Sequence, residues 1–285
     1  MTQEISDLFD EFGQGRLDRR EFLKKVTRLA GGATLAAGLL VELEARPNRK
    51  QKVTLTDPQL ETGYLEYKGE TGKIRAYQAR PKGSNKKPAV IVIHENRGLV
   101  PHIEDVTRRV ALEGFIAIAP DALSLLGGTP KNLDEGRTLM GNLDGQTTVK
   151  NFVAAVKYLK THPQTTGKVG CIGFCWGGAM TNQVAIHSPD LNAATPFYGR
   201  TPDPADVSQI KAAMLCHFAG LDDRINTGIK AFESALKAAS VNYQIYIYEG
   251  AAHAFFNDTN PERYHRESAE LAWNRTITFL KSKLK

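Results

Sequence analysis

The sequence predicts an α/β fold, with a mostly parallel central sheet and helices on both of its faces. Short β-type runs alternate with helically periodic segments from residue 88 to the C-terminus. Runs such as Pro88-Ala89-Val90-Ile91-Val92-Ile93-His94 and Phe115-Ile116-Ala117-Ile118-Ala119 are continuously apolar rather than alternating, the pattern of strands buried on both faces. No internal repeat or low-complexity linker breaks the alternation. The 285 residues, 41% apolar and 24% charged, are enough to bury a large core.

Taken in order, Val53-Thr54-Leu55, Tyr64-Leu65-Glu66-Tyr67 and the alternating run from Gly72 to Arg80 predict an antiparallel edge laid down before the main sheet. A polar turn over residues 81–87 leads into the buried strand 88–94, which ends at the charged loop Glu95-Asn96-Arg97-Gly98. Apolar positions from Ile103 to Glu113 recur at helical spacing, and Gly114 supplies a C-cap before strand 115–119. Beyond a Gly/Pro-containing loop over 121–133, Asp134 is placed to cap a helix. Another helix is expected through Val149 to Leu159, separated from the former near Gly141 or Gly145. Strand Val169–Ile172 follows. Further strands are expected at 193–199, 212–219 and 243–248, with helices from Thr227 to Ala239 and from about Glu262 to Leu284.

The segment Lys168-Val169-Gly170-Cys171-Ile172-Gly173-Phe174-Cys175-Trp176-Gly177-Gly178-Ala179-Met180 carries the chemistry. A β-type run stops at Gly173, a thiol follows at Cys175, and Gly177 and Gly178 open an apolar helical segment. Gly-x-Cys-x-Gly is the thiol form of the strand-turn-helix elbow that exposes a nucleophile above a parallel sheet. Side chains at Gly173 and Gly177 would crowd such a turn, and the first N–H groups of the helix point where an oxyanion forms. The competing reading is an inert buried cysteine.

A thiol nucleophile needs a base, and the base needs an acid to hold its tautomer. Asp222 and His253 stand at the ends of the two strands that follow the elbow, with Asp223 able to compete for the acid's role. Ligands of open parallel sheets sit beyond the C-terminal strand ends, where Glu95, Cys175, Asp222 and His253 all fall. The chain order nucleophile, acid, histidine is that of α/β hydrolases. Among the other histidines, His94 ends a strand beside Glu95, His217 lies inside an apolar strand as a core residue, and His102, His162, His187 and His265 fall in loops or on helix surfaces.

Other chemistries find little support. The net charge of +6 comes without a dense basic block or zinc-finger spacing, so it marks no nucleic-acid partner. The three cysteines Cys171, Cys175 and Cys216 are an odd number and make no disulfide scaffold. No metal-ligand spacing, phosphate loop or dinucleotide fingerprint is present, so neither metal nor cofactor is expected.

The first 45 residues differ in character. Asp18-Arg19-Arg20-Glu21-Phe22-Leu23-Lys24-Lys25 precedes the weakly apolar run from Leu29 to Val41, then the small residue Ala45. This arrangement resembles a twin-arginine export signal and implies the export machinery as a partner and a periplasmic or exported location. The alternatives are an N-terminal amphipathic helix and a cytoplasmic protein. The apolar run is too short for a stable membrane span. The expected division is therefore 1–45 and 46–285.

Together, Ile172-Gly173-Phe174-Cys175-Trp176-Gly177-Gly178-Ala179, Gly220-Leu221-Asp222-Asp223 and Glu249-Gly250-Ala251-Ala252-His253-Ala254-Phe255 resemble the dienelactone hydrolases (carboxymethylenebutenolidases) over roughly residues 60–284. The resemblance implies the α/β-hydrolase fold and a Cys175-Asp222-His253 triad that attacks an ester or lactone carbonyl. It also implies that Glu95 contacts the resting thiol and controls its conversion to thiolate, and that the backbone N–H groups of Asn96 and Trp176 form the oxyanion hole. One departure concerns substrate. Members acting on dienelactone hold its carboxylate with arginines, one shortly after the histidine, where this chain has Ala254-Phe255-Phe256-Asn257; Arg97 or Arg137 could substitute. A thioesterase, a peptidase or a non-catalytic binding module on the same fold are the other expectations.

Overall fold

The structure, a computed structural model, describes Leu8, residues 19–30 and residues 52–285. Arg19–Ala30 forms helix α1. The remainder of the expected export signal, from Gly31 through Val41 to Ala45, lies outside the described residues. The chain divides into two units, Met1–Pro58 and Gln59–Lys285. Among the described residues, no helix is long and apolar enough to cross a membrane.

Within the second unit the strands are β1 (Leu60–Lys68), β2 (Lys73–Pro81), β3 (Lys87–Ile93), β4 (Ile116–Pro120), β5 (Thr165–Phe174), β6 (Ala193–Phe197), β7 (Ala213–Ala219) and β8 (Tyr243–Tyr248). They form one sheet in the order β1-β2-β4-β3-β5-β6-β7-β8. The pairs β1/β2 and β2/β4 are antiparallel and all the others parallel. The antiparallel edge thus precedes the parallel sheet, as its alternation predicts, although residues 53–55 form no strand.

The helices of this unit are α2 (Pro101–Leu112), α3 (Leu133–Gly141), α4 (Gly145–Thr161), α5 (Trp176–His187), α6 (Asp223–Asn226), α7 (Ile229–Ala238) and α8 (Arg266–Lys283). Successive residues of a strand point to opposite faces, and β5 displays both layers at once. A Cβ on Gly170 would meet Leu280 of α8 and Leu284 just beyond it, whereas the next residue, Cys171, lies 3.6 Å from Thr181 of α5. One large core on the α5 side joins β3 and β5 to α4, α5 and α7 through residues such as Ile91, Phe152, Val184 and Phe232.

Three expected boundaries move, each for a local reason. The cap of α3 is Asn132, whose side-chain oxygen accepts from the N–H groups of Asp134 and Glu135; Asp134 falls instead in the first turn, where its charge favours the helix dipole. The helix expected over 227–239 begins earlier and is broken into α6 and α7 at Thr227-Gly228. The final helix starts at Arg266 rather than near Glu262, because residues 254–265 close into turns that include His265 N–H to Phe255 O at 3.0 Å and Tyr264 N–H to Asn260 O at 2.9 Å. The His265 side chain then accepts from Ser268 N–H to cap the helix.

Charge inside the fold ties this turn segment to α2. Arg109 Nη2 donates to Asp258 Oδ2 at 2.8 Å and also pairs with Asp105. The neighbouring Arg108 is 0% exposed and donates to the Tyr77 hydroxyl at 2.8 Å. His102, expected at a helix surface, is buried with its Nδ1 3.2 Å from Asp258. The periodicity of α2 cannot foretell this, since the acid that covers His102 arrives from a segment more than 150 residues later.

The elbow is packed without spare space. A Cβ on Gly173 would stand 2.1 Å from Gly177 O and 2.3 Å from Thr181 Oγ1, and one on Gly177 would stand 2.4 Å from His94 O and 2.5 Å from Ile93 O. Main chain cannot yield as a flexible side-chain tip can. Gly173→Ala is therefore expected to destabilise by about 3 kcal/mol and to lower the melting temperature by roughly 6–12 °C. Gly170→Ala, whose Cβ presses on the methyl ends of Leu280 and Leu284 and meets main chain only at Ala193 O, an ordinary 3.7 Å away, should shift it by less than about 4 °C. Calorimetry of the two variants checks the difference; equal shifts would refute the assignment of the elbow as the rigid point.

Candidate active site

β5 delivers Cys175 one residue past its end, and α5 starts at the next residue. Cys175 adopts φ 56° and ψ −112°, a sparsely populated conformation for an L-residue that persists only where its surroundings impose it. Two hydrogen bonds do so. Its N–H donates to Phe197 O at 3.0 Å, and its carbonyl accepts the first helical bond from Ala179 N–H at 3.1 Å. Gly178 permits the adjoining approach, since a Cβ there would lie 2.5 Å from Phe197 O and 2.9 Å from Gly199 Cα.

His253 lies between sulfur and carboxylate. Its Nε2 is 3.0 Å from Cys175 Sγ, and its Nδ1 pairs with Asp222 Oδ2. A carboxylate can only accept, so Nδ1 carries a proton and Nε2 is the ring nitrogen that faces the thiol. Asp222, 7% exposed, follows the end of β7, while Asp223 is exposed and begins α6. The choice between the two consecutive acids is thereby made by burial. The His253 ring packs edge-on against Tyr198 with centroids 5.2 Å apart. Tyr198 also has a positive φ of 37°, and its buried hydroxyl finds no partner among the described residues.

The thiol's electrostatics are one-sided. Burial pushes the Cys175 thiol up to about 11, and the charges of Glu95 and Asp222 push in the same direction. The Trp176 backbone N–H, directed at the sulfur, and the Arg224 guanidinium oppose them. The thiol is thereby held well above the usual cysteine range, with His253 Nε2 at hydrogen-bond distance. Cys171 and Cys216 are fully buried, and burial raises both further.

The residues of loop 95–98 contribute in different ways. Glu95 is half-buried, and its Oε2 accepts from Asn257 Nδ2 at 2.7 Å while its charge reaches the thiol. Asn257, four residues after His253, was not singled out by sequence; no local pattern marks it, because its partner lies 162 positions away. The Asn96 N–H has no acceptor among the described residues. The side chains of Arg97 and Arg137 are both exposed. Their segments adjoin, since a Cβ on Gly136 would stand 2.6 Å from Arg97 O. His217 is a core residue, as its strand position predicts: Nδ1 and Nε2 each lie 2.9 Å from a hydroxyl, of Tyr248 and Thr276, and burial takes its pKa down to about 3. Among the described residues, no group of three or more His, Cys, Asp or Glu side chains is arranged to hold a metal ion.

The sequence profile of the dienelactone hydrolase family matches residues 74–284. A carboxymethylenebutenolidase-like protein of Escherichia coli O157:H7 is 33% identical over 253 residues, covering 83% of this chain and 93% of its own length. A similarly described protein of Methylorubrum extorquens is 31% identical and covers 96% of both chains. Among solved structures, a dienelactone hydrolase-like protein of Klebsiella pneumoniae superposes with a TM-score of 0.71 at 27% identity, covering 78% of this chain and 98% of its own. The chain belongs to the dienelactone hydrolase family, a family of carboxylic ester hydrolases with the α/β-hydrolase fold.

Proposed function

We propose that the chain hydrolyses a carboxylic ester or lactone through Cys175, with His253 as general base and acid and Asp222 as the group that holds its tautomer. The observation that supports the reading is the position of His253, with Nε2 3.0 Å from the Cys175 sulfur and Nδ1 on Asp222. The resting thiol is protonated, so the cycle begins with transfer of its proton to Nε2 as sulfur attacks the carbonyl carbon. Negative charge develops on the carbonyl oxygen, for which the backbone N–H groups of Asn96 and Trp176 are the donors, aided by the N-terminal end of α5.

Collapse of the tetrahedral species breaks the C–O bond. The leaving oxygen takes the proton from Nε2, and the acyl group remains on sulfur as a thioester. Water then gives a proton to Nε2 and attacks the thioester; the second collapse releases the acid and returns the proton to sulfur. In a lactone the leaving hydroxyl stays tethered, so attack by water must outrun re-closure of the ring. Glu95 has the role of keeping the thiol protonated until substrate enters. Arg97, Arg137 or both are proposed to meet an anionic substituent of the substrate. The proposal extends to location: Arg19 and Arg20 open a twin-arginine signal that directs the protein through the export machinery.

Cys175→Ala should reduce hydrolysis of small aryl esters and lactones by at least about 10⁴-fold, and the native enzyme should show a stoichiometric burst of phenol before the steady state. Activity that survives the substitution sinks the thiol mechanism. In Glu95→Gln a charge that raises the thiol pKa is removed, so that pKa falls from about 11 and more thiolate is present at pH 8. Alkylation of Cys175 by iodoacetamide at that pH should accelerate roughly 3- to 10-fold, since one pKa unit is worth tenfold; unchanged labelling would remove Glu95 from control of the thiol. Replacing Arg19 and Arg20 together by Lys should retain the protein in the cytoplasm of a bacterial host, followed by cell fractionation. Unchanged export, or a native protein that never leaves the cytoplasm, contradicts the signal.

A further inference from the structure

We infer that His94 is the positioning residue of the oxyanion hole, aiming the Asn96 N–H through the Glu95 carbonyl and bracing Trp176 by ring stacking. The inference rests on the thiol mechanism proposed above and assigns a role that the mechanism leaves without an agent.

His94 follows β3 directly and is 0% exposed. Its Nε2 lies 3.1 Å from Ala122 N. A main-chain N–H can only donate, so Nε2 is the unprotonated nitrogen and the ring proton is on Nδ1. Nδ1 therefore donates to Glu95 O, 2.7 Å away. The described chain contains no cis peptide bond. In a trans peptide the C=O and the following N–H point in opposite directions within one plane. A ring that grips Glu95 O consequently sets the direction of the Asn96 N–H on the other side of the same peptide.

The same imidazole lies against the indole of Trp176, with ring centroids 5.5 Å apart and planes inclined by 11°. Trp176 supplies the second N–H donor. The His94 main chain is fitted as closely: its carbonyl oxygen would be 2.4 Å from a Cβ on Gly177, so only glycine is accommodated there. One residue thus touches the peptide or side chain behind each proposed donor, and the loop after β4 locks its tautomer. Burial pulls the imidazole below the usual histidine range, against the opposing pulls of the Asp121 carboxylate and the bond to Glu95. The neutral, singly protonated ring that both hydrogen bonds require is the favoured form.

Three variants test the assignment. His94→Phe keeps an aromatic ring against Trp176 but removes both hydrogen bonds. His94→Asn places an amide nitrogen near the position of Nδ1, and His94→Gln places its amide near Nε2. With an aryl acetate, the Phe variant should lose about 100-fold in kcat, the scale of losing one oxyanion donor, while KM changes less than about threefold. Labelling of Cys175 by iodoacetamide forms no oxyanion, so its rate should stay within about twofold of the native rate. His94→Asn should recover about tenfold in kcat over the Phe variant, and Gln should not.

A folded Phe variant with native kcat overturns the inference, as does labelling that falls in step with kcat, which would mean that the whole elbow has shifted. An Asn variant no better than Gln overturns it too. Should the Phe variant fail to fold, the comparison of Asn with Gln decides. The underlying mechanism fails separately, if Cys175→Ala still hydrolyses the ester; an inactive Cys175→Ala beside a fully active His94→Phe removes only the present inference.

Discussion

The turn at Cys175 is the constraint on which the rest of the site depends. A non-glycine residue at φ 56° and ψ −112° costs of order 1–3 kcal/mol, and it is held there by the bonds of its N–H to Phe197 O and of its carbonyl to Ala179 N–H. The main chain of Gly177 is pressed against Ile93 and His94, and that of Gly178 against Phe197 and Gly199. The first helical turn is therefore jammed between the ends of β3 and β6. Sulfur is forced upward into the space where the loops after β3, β7 and β8 converge, and the first amide groups of α5 face the same space.

Electrostatics then sets the state of the thiol that the turn presents. A thiol at a helix N-terminus is often ionised, yet here burial and the carboxylates of Glu95 and Asp222 outweigh the Trp176 N–H and Arg224. A thiol held protonated is chemically quiet, and the proposed mechanism therefore gives it a base. The segment that carries His253 is fastened on both sides by consecutive residues. Asn257 holds Glu95 at 2.7 Å, and Asp258 holds Arg109 of α2 at 2.8 Å. The anchoring of His253 and the placement of Glu95 are one piece of construction.

Much of this was legible in the chain because the chemistry sits at strand ends, where local pattern and topology coincide. Continuous apolar runs located β3, β4 and β7; two glycines flanking Cys175 announced a turn; Asp222 and His253 followed in the expected order. What escaped was decided by side-chain direction or by distant partners. Periodicity could not separate Asp222 from Asp223, since the difference is that one turns inward beyond β7 and the other begins α6 in solvent. His102 looked like a surface residue until Asp258 covered it. Sequence marks His94 only as the end of a strand beside Glu95, because its two hydrogen-bond partners, the next carbonyl and an amide 28 residues on, leave no motif.

The amino-acid sequence by itself determined the order of elements and the elbow, and it narrowed the candidate thiol, imidazole and acid to Cys175, His253 and the pair Asp222-Asp223, because strand burial, glycine sterics and residue chemistry are local properties. Tertiary structure alone decided which acid meets His253, that burial and nearby carboxylates raise the Cys175 thiol, that Asn257 holds Glu95 and that His94 grips the peptide before Asn96. Those are properties of desolvation and of hydrogen bonds between segments far apart in the chain, and they exist only once the sheet has brought the segments together.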